Sequence, residues 1–242
     1  MLDELRGAFY IAKKDLKEYY FKPPTISWGI AFPLVFASAF LLRGWDKLWL
    51  APGLLTISLF FGSTSMSAAS IVFERRTGSF ERLLLFPISY FGIALGKSLS
   101  SFFFGLLSLT TTLAVVWIFL SIPPHNLLLL AFTIVCAALQ FSSMGVLLSF
   151  AVKDPAQAMT IFNSVRFPMM FLSNMIIPVT KFPPYLTPIS FAIPLTYSVE
   201  AVRYALLGSY DVIPPQIALT VTIISFLAFL YFAKVMIEKS IP

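Results

Sequence analysis

The sequence predicts an all-α fold, an integral membrane bundle of about six transmembrane helices. Three observations carry that expectation. Of 242 residues, 58% are hydrophobic and only 12% are charged, with a mean hydropathy of +0.87. A soluble domain of this length cannot cover so much apolar surface. Apolar stretches long enough for a bilayer core of about 30 Å recur along the chain. The basic residues sort to alternate sides of those stretches, as a fixed membrane orientation requires.

The elements follow in order. In segment 1–24, Leu2, Leu5, Phe9, Ala12, Leu16, Tyr19 and Tyr20 fall on one helical stripe, with Asp3, Arg6, Lys13, Lys14, Lys17 and Glu18 off it. Tyr10 and Ile11 break the division. This reads as an amphipathic helix in the cytoplasmic membrane interface, with Pro23 and Pro24 turning the chain into the bilayer. A simple membrane anchor and a docking surface for a partner both fit it.

The transmembrane domain, 25–242, holds apolar stretches near 25–42, 50–73, 97–121, 127–152, 156–177 and 215–235. Arg6, Lys13, Lys14, Lys17 and Lys22 precede the first, and Arg75, Arg76, Arg82 and Lys97 follow the second. Lys153 follows the fourth, and Lys234 and Lys239 the sixth. Only Arg43, Lys47, Lys181 and Arg203 fall on the other side. The expectation is a multi-pass plasma-membrane protein with both termini in the cytoplasm.

The excess of 17 Lys and Arg over 11 Asp and Glu is thereby explained by topology, without nucleic acid. Acidic residues precede the first apolar run near Thr25, so no secretory signal peptide is read there. The length leaves no room for a second, soluble domain.

Segment 74–96, after the second stretch, carries Glu74, Arg75, Arg76, Ser79, Glu81, Arg82 and Pro87. Its pattern predicts a short helix across the membrane surface, capped by Ser79, favoured by Glu81 near its positive end and stopped by Pro87. Composition alone slightly favours the other reading, an ordinary basic loop that fixes orientation. Segment 178–214 is long, apolar and rich in proline, which predicts short helices dipping into the outer leaflet. Within it Glu200 and Arg203 stand three apart on a helix, spaced to pair.

Chemistry-bearing patterns are sparse. In Gly92-Ile93-Ala94-Leu95-Gly96-Lys97-Ser98 only three residues separate the glycines, where a phosphate-binding loop needs four. One histidine, His125, and one cysteine, Cys136, leave a metal site or a nucleophile–base pair without partners. No Asp or Glu lies inside a predicted stretch, which disfavours a proton-coupled carrier. One charge lies near mid-membrane, Arg166. Two readings stay open for it: an anion-attracting charge in a pathway, or a structural group paired with Asn163 and the Ser164 carbonyl freed by Pro168.

Read together, these pieces resemble the type-2 ABC-transporter permeases, exporters of the drug, polysaccharide and lipid class. The matching residues are Lys13 to Tyr19 with Phe32-Pro33, Glu74 to Ser89, Lys153 to Ala158, Phe171 to Asn174, and Pro194 to Tyr197 with Glu200 to Arg203. Ile193 stands where relatives often have Asn, and Asn174 where Gly is usual; both concern the outer side.

The resemblance implies that the tail helix with Lys13, Lys14 and Lys17 and the coupling segment meet an ATP-binding-cassette ATPase subunit. It implies that ATP and Mg bind that partner, with no cofactor in this chain, and that two permeases assemble. A self-sufficient carrier or channel and a non-transporting scaffold are the competing readings. The small polar residues on the second to fourth stretches suit close helix packing and an amphiphilic or lipid-like substrate.

Overall fold

The computed structural model describes residues 2–240 apart from Arg43, Trp45 and Lys153. Arg43 and Lys153 of the charge pattern, and the side chains of Leu2 and Asp3, therefore lie outside the described residues. Among the described residues every regular element is helical. In chain order these are α1 (Leu2–Tyr19), α2 (Pro23–Ile26), a π-helical turn (Ser27–Ala31), α3 (Phe32–Leu42), α4 (Lys47–Thr77) and α5 (Ser79–Leu84). Then come α6 (Tyr90–Leu120), α7 (Leu127–Ser149), α8 (Pro155–Leu172), a 3-10 turn (Val179–Lys181), α9 (Thr187–Ala192), α10 (Pro194–Leu207) and α11 (Pro215–Lys239).

Among the described residues four helices are long and apolar enough to cross a membrane: α4, α6 over Tyr90–Ile118, α7 and α11. They coincide with the second, third, fourth and sixth predicted stretches. The first is divided by the π turn, leaving the shorter apolar helix Ser27–Phe40. The fifth is α8, whose 18 residues include Gln157, Asn163, Ser164 and Arg166, too polar a set to qualify by composition.

Helix α4 is the axis of the bundle. It packs on α6, α7, α8, α10 and α3, and its apolar centre is wholly buried. Its 31 residues reach about 46 Å at 1.5 Å each, longer than a bilayer core of about 30 Å. The polar foot 74–77 can therefore stand beyond the apolar layer. Small side chains let the neighbours close in, as where Ser67 meets Ser101 of α6 at 2.6 Å.

Side-chain caps set the ends of these helices. Asp46 accepts from the Leu48 N–H of α4, Asn126 from the Leu129 N–H of α7, and Ser89 from the Gly92 N–H of α6. Gly92 to Ser98 thus forms the first turns of α6.

Helix α1 lies against α6 at the end of the bundle that also carries α5 and the end of α11. Its buried face is Ala8, Ile11, Ala12, Asp15 and Tyr19, while Leu5 and Phe9 are about half exposed at 49% and 55%. The expected stripe is thus rotated, and Ile11, which broke the pattern, faces inward. Two causes act together: Gly96 brings α6 within close reach of Ala8 and Ile11, and Asp15 is drawn to a buried lysine. The chain then turns at 20–22, one step before the two prolines.

A Cβ on Gly96 would meet the Ala8 carbonyl oxygen at 2.8 Å and Ile11 Cβ at 2.9 Å. We predict that Gly96→Val lowers stability by about 1–3 kcal/mol through overpacking. Thermal unfolding in detergent and faster proteolysis between α1 and α3 are the readouts; unchanged values would contradict this docking.

Candidate functional site

The functional side chains gather at the α1–α5 end. Gly78, at φ 70°, ends α4 and starts α5, a left-handed conformation that favours glycine. Ser79 does not cap α5; its hydroxyl lies 2.9 Å from that of Thr77. The helix ends at Leu84, three residues before Pro87. Phe80 is its anchor, buried among Ile11, Ile71, Ile93 and Ile237, with the Phe150 ring 5.8 Å away. Glu81, Arg82 and Pro87 are exposed, beside Leu85 and Phe86 at 85% and 60% exposure.

Arg75 and Arg76 turn the other way. The Arg75 guanidinium donates to the Val152 carbonyl at 3.3 Å and lies over the Phe150 ring. Arg76 stands 3.8 Å from Asp154 in an exposed pair. Together they tie the foot of α4 to the corner between α7 and α8.

Beneath this surface lies a buried ionic cluster. Lys97 Nζ, fully buried, donates to both Asp15 oxygens at 3.0 and 2.9 Å and also to Glu74. Asp15 and Glu74 are fully buried as well. Lys14, partly exposed, donates to the second oxygen of Glu74, and Ser100 donates to Asp15 at 3.3 Å. Burial pushes the Asp15 carboxyl up, against the pull of the Lys97 charge. Burial acts to lower Lys14, but the hydrogen bond and charge of Glu74 outweigh it and hold the ammonium above its usual value. Two cations and two carboxylates balance, and they join α1, the foot of α4 and the foot of α6.

The three tail lysines therefore separate. Lys14 enters the cluster; Lys13 and Lys17 line a groove of about 790 Å³ with Phe9, Leu16, Phe21 and Phe103. Among the residues named from sequence, Glu74 and Lys14 share this cluster; Arg75 and Arg76 face the α7–α8 corner, and Glu81, Arg82 and Pro87 are exposed.

Asp15 and Lys97 were missed as site residues. Their signal was present: Asp15 sits on the Ala8–Ala12–Tyr19 face, and Lys97 interrupts an apolar run directly after Gly96.

At the opposite end Glu200 and Arg203 do not form the expected ion pair. Glu200 accepts from the Asp211 and Val212 N–H groups at 3.0 and 3.2 Å and from Asn174. Arg203 donates to the Asn174 and Trp49 carbonyls and stacks 3.5 Å over the Trp49 ring. The two side chains meet through Asn174, because α10 is buried against α4 and each finds a nearer backbone partner. Arg166 sits apart from both ends, within α8, and donates to Asn163 at 3.4 Å.

A helical bundle with four helices of spanning length is the structure of a multi-pass membrane protein. Residues 7–207 match the ABC-2 type transporter family, and the chain belongs to it. Relatives carry the names transport permease ycf38 (Cyanophora paradoxa; 27% identity, 73% of this chain and 63% of the relative) and multidrug ABC transporter permease YbhR (Escherichia coli; 24%, 73% and 50%). Inner membrane transport permease YadH of Escherichia coli is 25% identical over 68% of this chain and 64% of its own length. The match thus spans half to just under two thirds of these relatives. The ABC-2 family is one of membrane transport components, which in general lack an ATPase site of their own.

Replacing Lys97 leaves two carboxylates buried together. We expect Lys97→Met to cost about 3–5 kcal/mol, and additional Asp15→Leu and Glu74→Leu to recover most of that loss. Denaturant unfolding in detergent measures both; a stable Lys97→Met protein would contradict the buried cluster.

Proposed function

We propose that this chain is the membrane-spanning subunit of an ATP-binding-cassette exporter. It moves an amphiphilic, drug-like or lipid-like substrate out of the cytoplasm with ATP and Mg bound by a separate ATPase subunit. The chain lies in the plasma membrane with six spans and cytoplasmic termini: the π-turned segment through α3 is the first span and α8 the fifth. Helix α1 lies in the cytoplasmic interface, and α9 and α10 in the outer leaflet.

One observation carries the reading. Exposed Glu81, Arg82, Leu85, Phe86 and Pro87 form a protruding surface whose root, Phe80, is buried beside a charge cluster shared by α1, α4 and α6. Exposed large apolar residues beside charges mark an interaction surface. A partner that pushes on α5 moves a rigid unit, since the buried ions resist separation. Glu74, Arg75, Arg76 and Ser79 brace this lever, and Lys13 and Lys17 extend the contact along α1.

The exposed side of α8 carries Gln157, Thr160 and Ser164, polar groups ill suited to lipid. They support a second permease copy, or a related one, completing a pathway there.

The test is coexpression with candidate ABC ATPases. The chain alone hydrolyses no ATP; it copurifies with its partner, and Glu81→Lys with Leu85→Asp weakens that association by at least about tenfold. ATP hydrolysis by the chain alone, or gradient-driven flux in liposomes containing only this chain, would contradict the assignment.

A further inference from the structure

Arg166 is among the largest fully buried side chains, and it is incompletely paired. Its Nη1 donates to Asn163 Oδ1 at 3.4 Å, while Nε and Nη2 have no partner among the described residues. The Phe61 and Phe162 rings face it at 5.2 and 4.9 Å, which attracts the charge but leaves those N–H groups without oxygen acceptors. Nε and Nη2 are the adjacent nitrogens with which a guanidinium grips a carboxylate or phosphate in two parallel bonds. The gripping edge of the fork is the one left open.

The facing helix supplies a second leftover group. On α4, Phe61, Ser65, Ala68 and Val72 follow one helical stripe. Phe61 meets Arg166, and Ala68 and Val72 cluster with Phe162, so the stripe faces α8. Ser65 lies between these contacts, and its buried hydroxyl has no partner among the described residues. An anion between α8 and α4 would satisfy the fork and the hydroxyl together.

Position and surroundings agree. Phe61 is near the middle of α4, so the site lies at mid-depth in the bundle. Phe32 and Phe167 stack around Phe61 at 4.5 and 6.0 Å, and Trp28 closes on Phe167 from the π turn. π-helical turns inside helices occur often at functional sites. The result is a cation at the edge of an aromatic wall.

We propose that Arg166 and Ser65 form the receptor for the carboxylate or phosphate head of an anionic amphiphile, whose apolar tail lies on Phe32, Phe61 and Phe167. The inference rests on the transport reading, in which the α4–α8 seam opens to admit that head and the ligand is the cargo. A neutral or cationic amphiphile would leave the fork unsatisfied and bind more weakly.

The test uses the purified chain in neutral detergent, with no ATPase present. Laurate, dodecyl phosphate, dodecanol and dodecyltrimethylammonium are added in turn, and thermal unfolding and equilibrium binding are read. We expect the two anions to bind at least about tenfold more tightly than the other two. Ranking laurate against dodecyl phosphate distinguishes carboxylate from phosphate. R166Q loses that preference, R166K keeps part of it, and S65A weakens anion binding without reversing it. Photo-crosslinking of a diazirine fatty acid to the wild-type chain keeps the proposal testable if R166Q does not fold: labelling around Phe61 and Phe167 supports it. Equal binding of all four probes, an undiminished preference in R166Q, or labelling confined to the Phe9–Phe103 groove would overturn it. Anion binding lost while the ATPase still couples sinks this inference alone; failed ATPase association sinks the transport reading alone.

Discussion

The buried ammonium of Lys97 is the interaction on which the rest depends. A lysine charge removed from water must meet carboxylates or neutralise, and here it holds Asp15 from α1 and Glu74 from α4 at once. Those bonds fix three helices in one register. They also explain why α1 turns Asp15 inward and leaves Leu5 and Phe9 on its flank. The tail is thereby a docked part of the bundle, rotated away from the orientation its hydrophobic stripe alone would choose.

Above this foot, the packing is governed by small side chains. Serines and threonines along α4 bond to α6, as Ser67 does to Ser101, or return to their own backbone, as Thr56 does to the Pro52 carbonyl. In a membrane such contacts let helices approach closely without burying unsatisfied groups. Among the described residues the exceptions are Ser63, Ser65 and Ser70 on α4 and Ser98 on α6, whose buried hydroxyls have no partner; of these, Ser65 shares the α4–α8 seam with the unmatched Arg166. The ionic foot thus holds its charges in pairs, while Arg166, near the middle of the bundle, is held by Asn163 and two aromatic rings.

Much of the fold was legible in the sequence because long apolar runs are nearly sufficient to specify spanning helices. The runs that became α4, α6, α7 and α11 show this directly. Helix α8 resisted the same logic, since Arg166, Asn163 and Gln157 dilute its hydropathy. The site was less legible. Glu74 and Lys97 read as loop and boundary charges because periodicity cannot show that α4 outruns the bilayer or that α1 folds over both. The pairing of Glu200 with Arg203 failed similarly: spacing placed them on neighbouring turns, while Asn174, Trp49 and the 211–212 backbone, distant in sequence, took both side chains. Local spacing proposes partners; tertiary packing selects them.

The central claim is that α1, the foot of α4, α5 and the foot of α6 move as one body in the proposed assembly with an ATPase. Spin labels at Tyr10 on α1 and Arg82 on α5, both exposed, report it by pulsed electron resonance in the assembled transporter with and without ATP. The account predicts an unchanged Tyr10-to-Arg82 distance within one chain, while the distance between the Arg82 positions of two copies shifts. A change in the distance within one chain on ATP binding would contradict it.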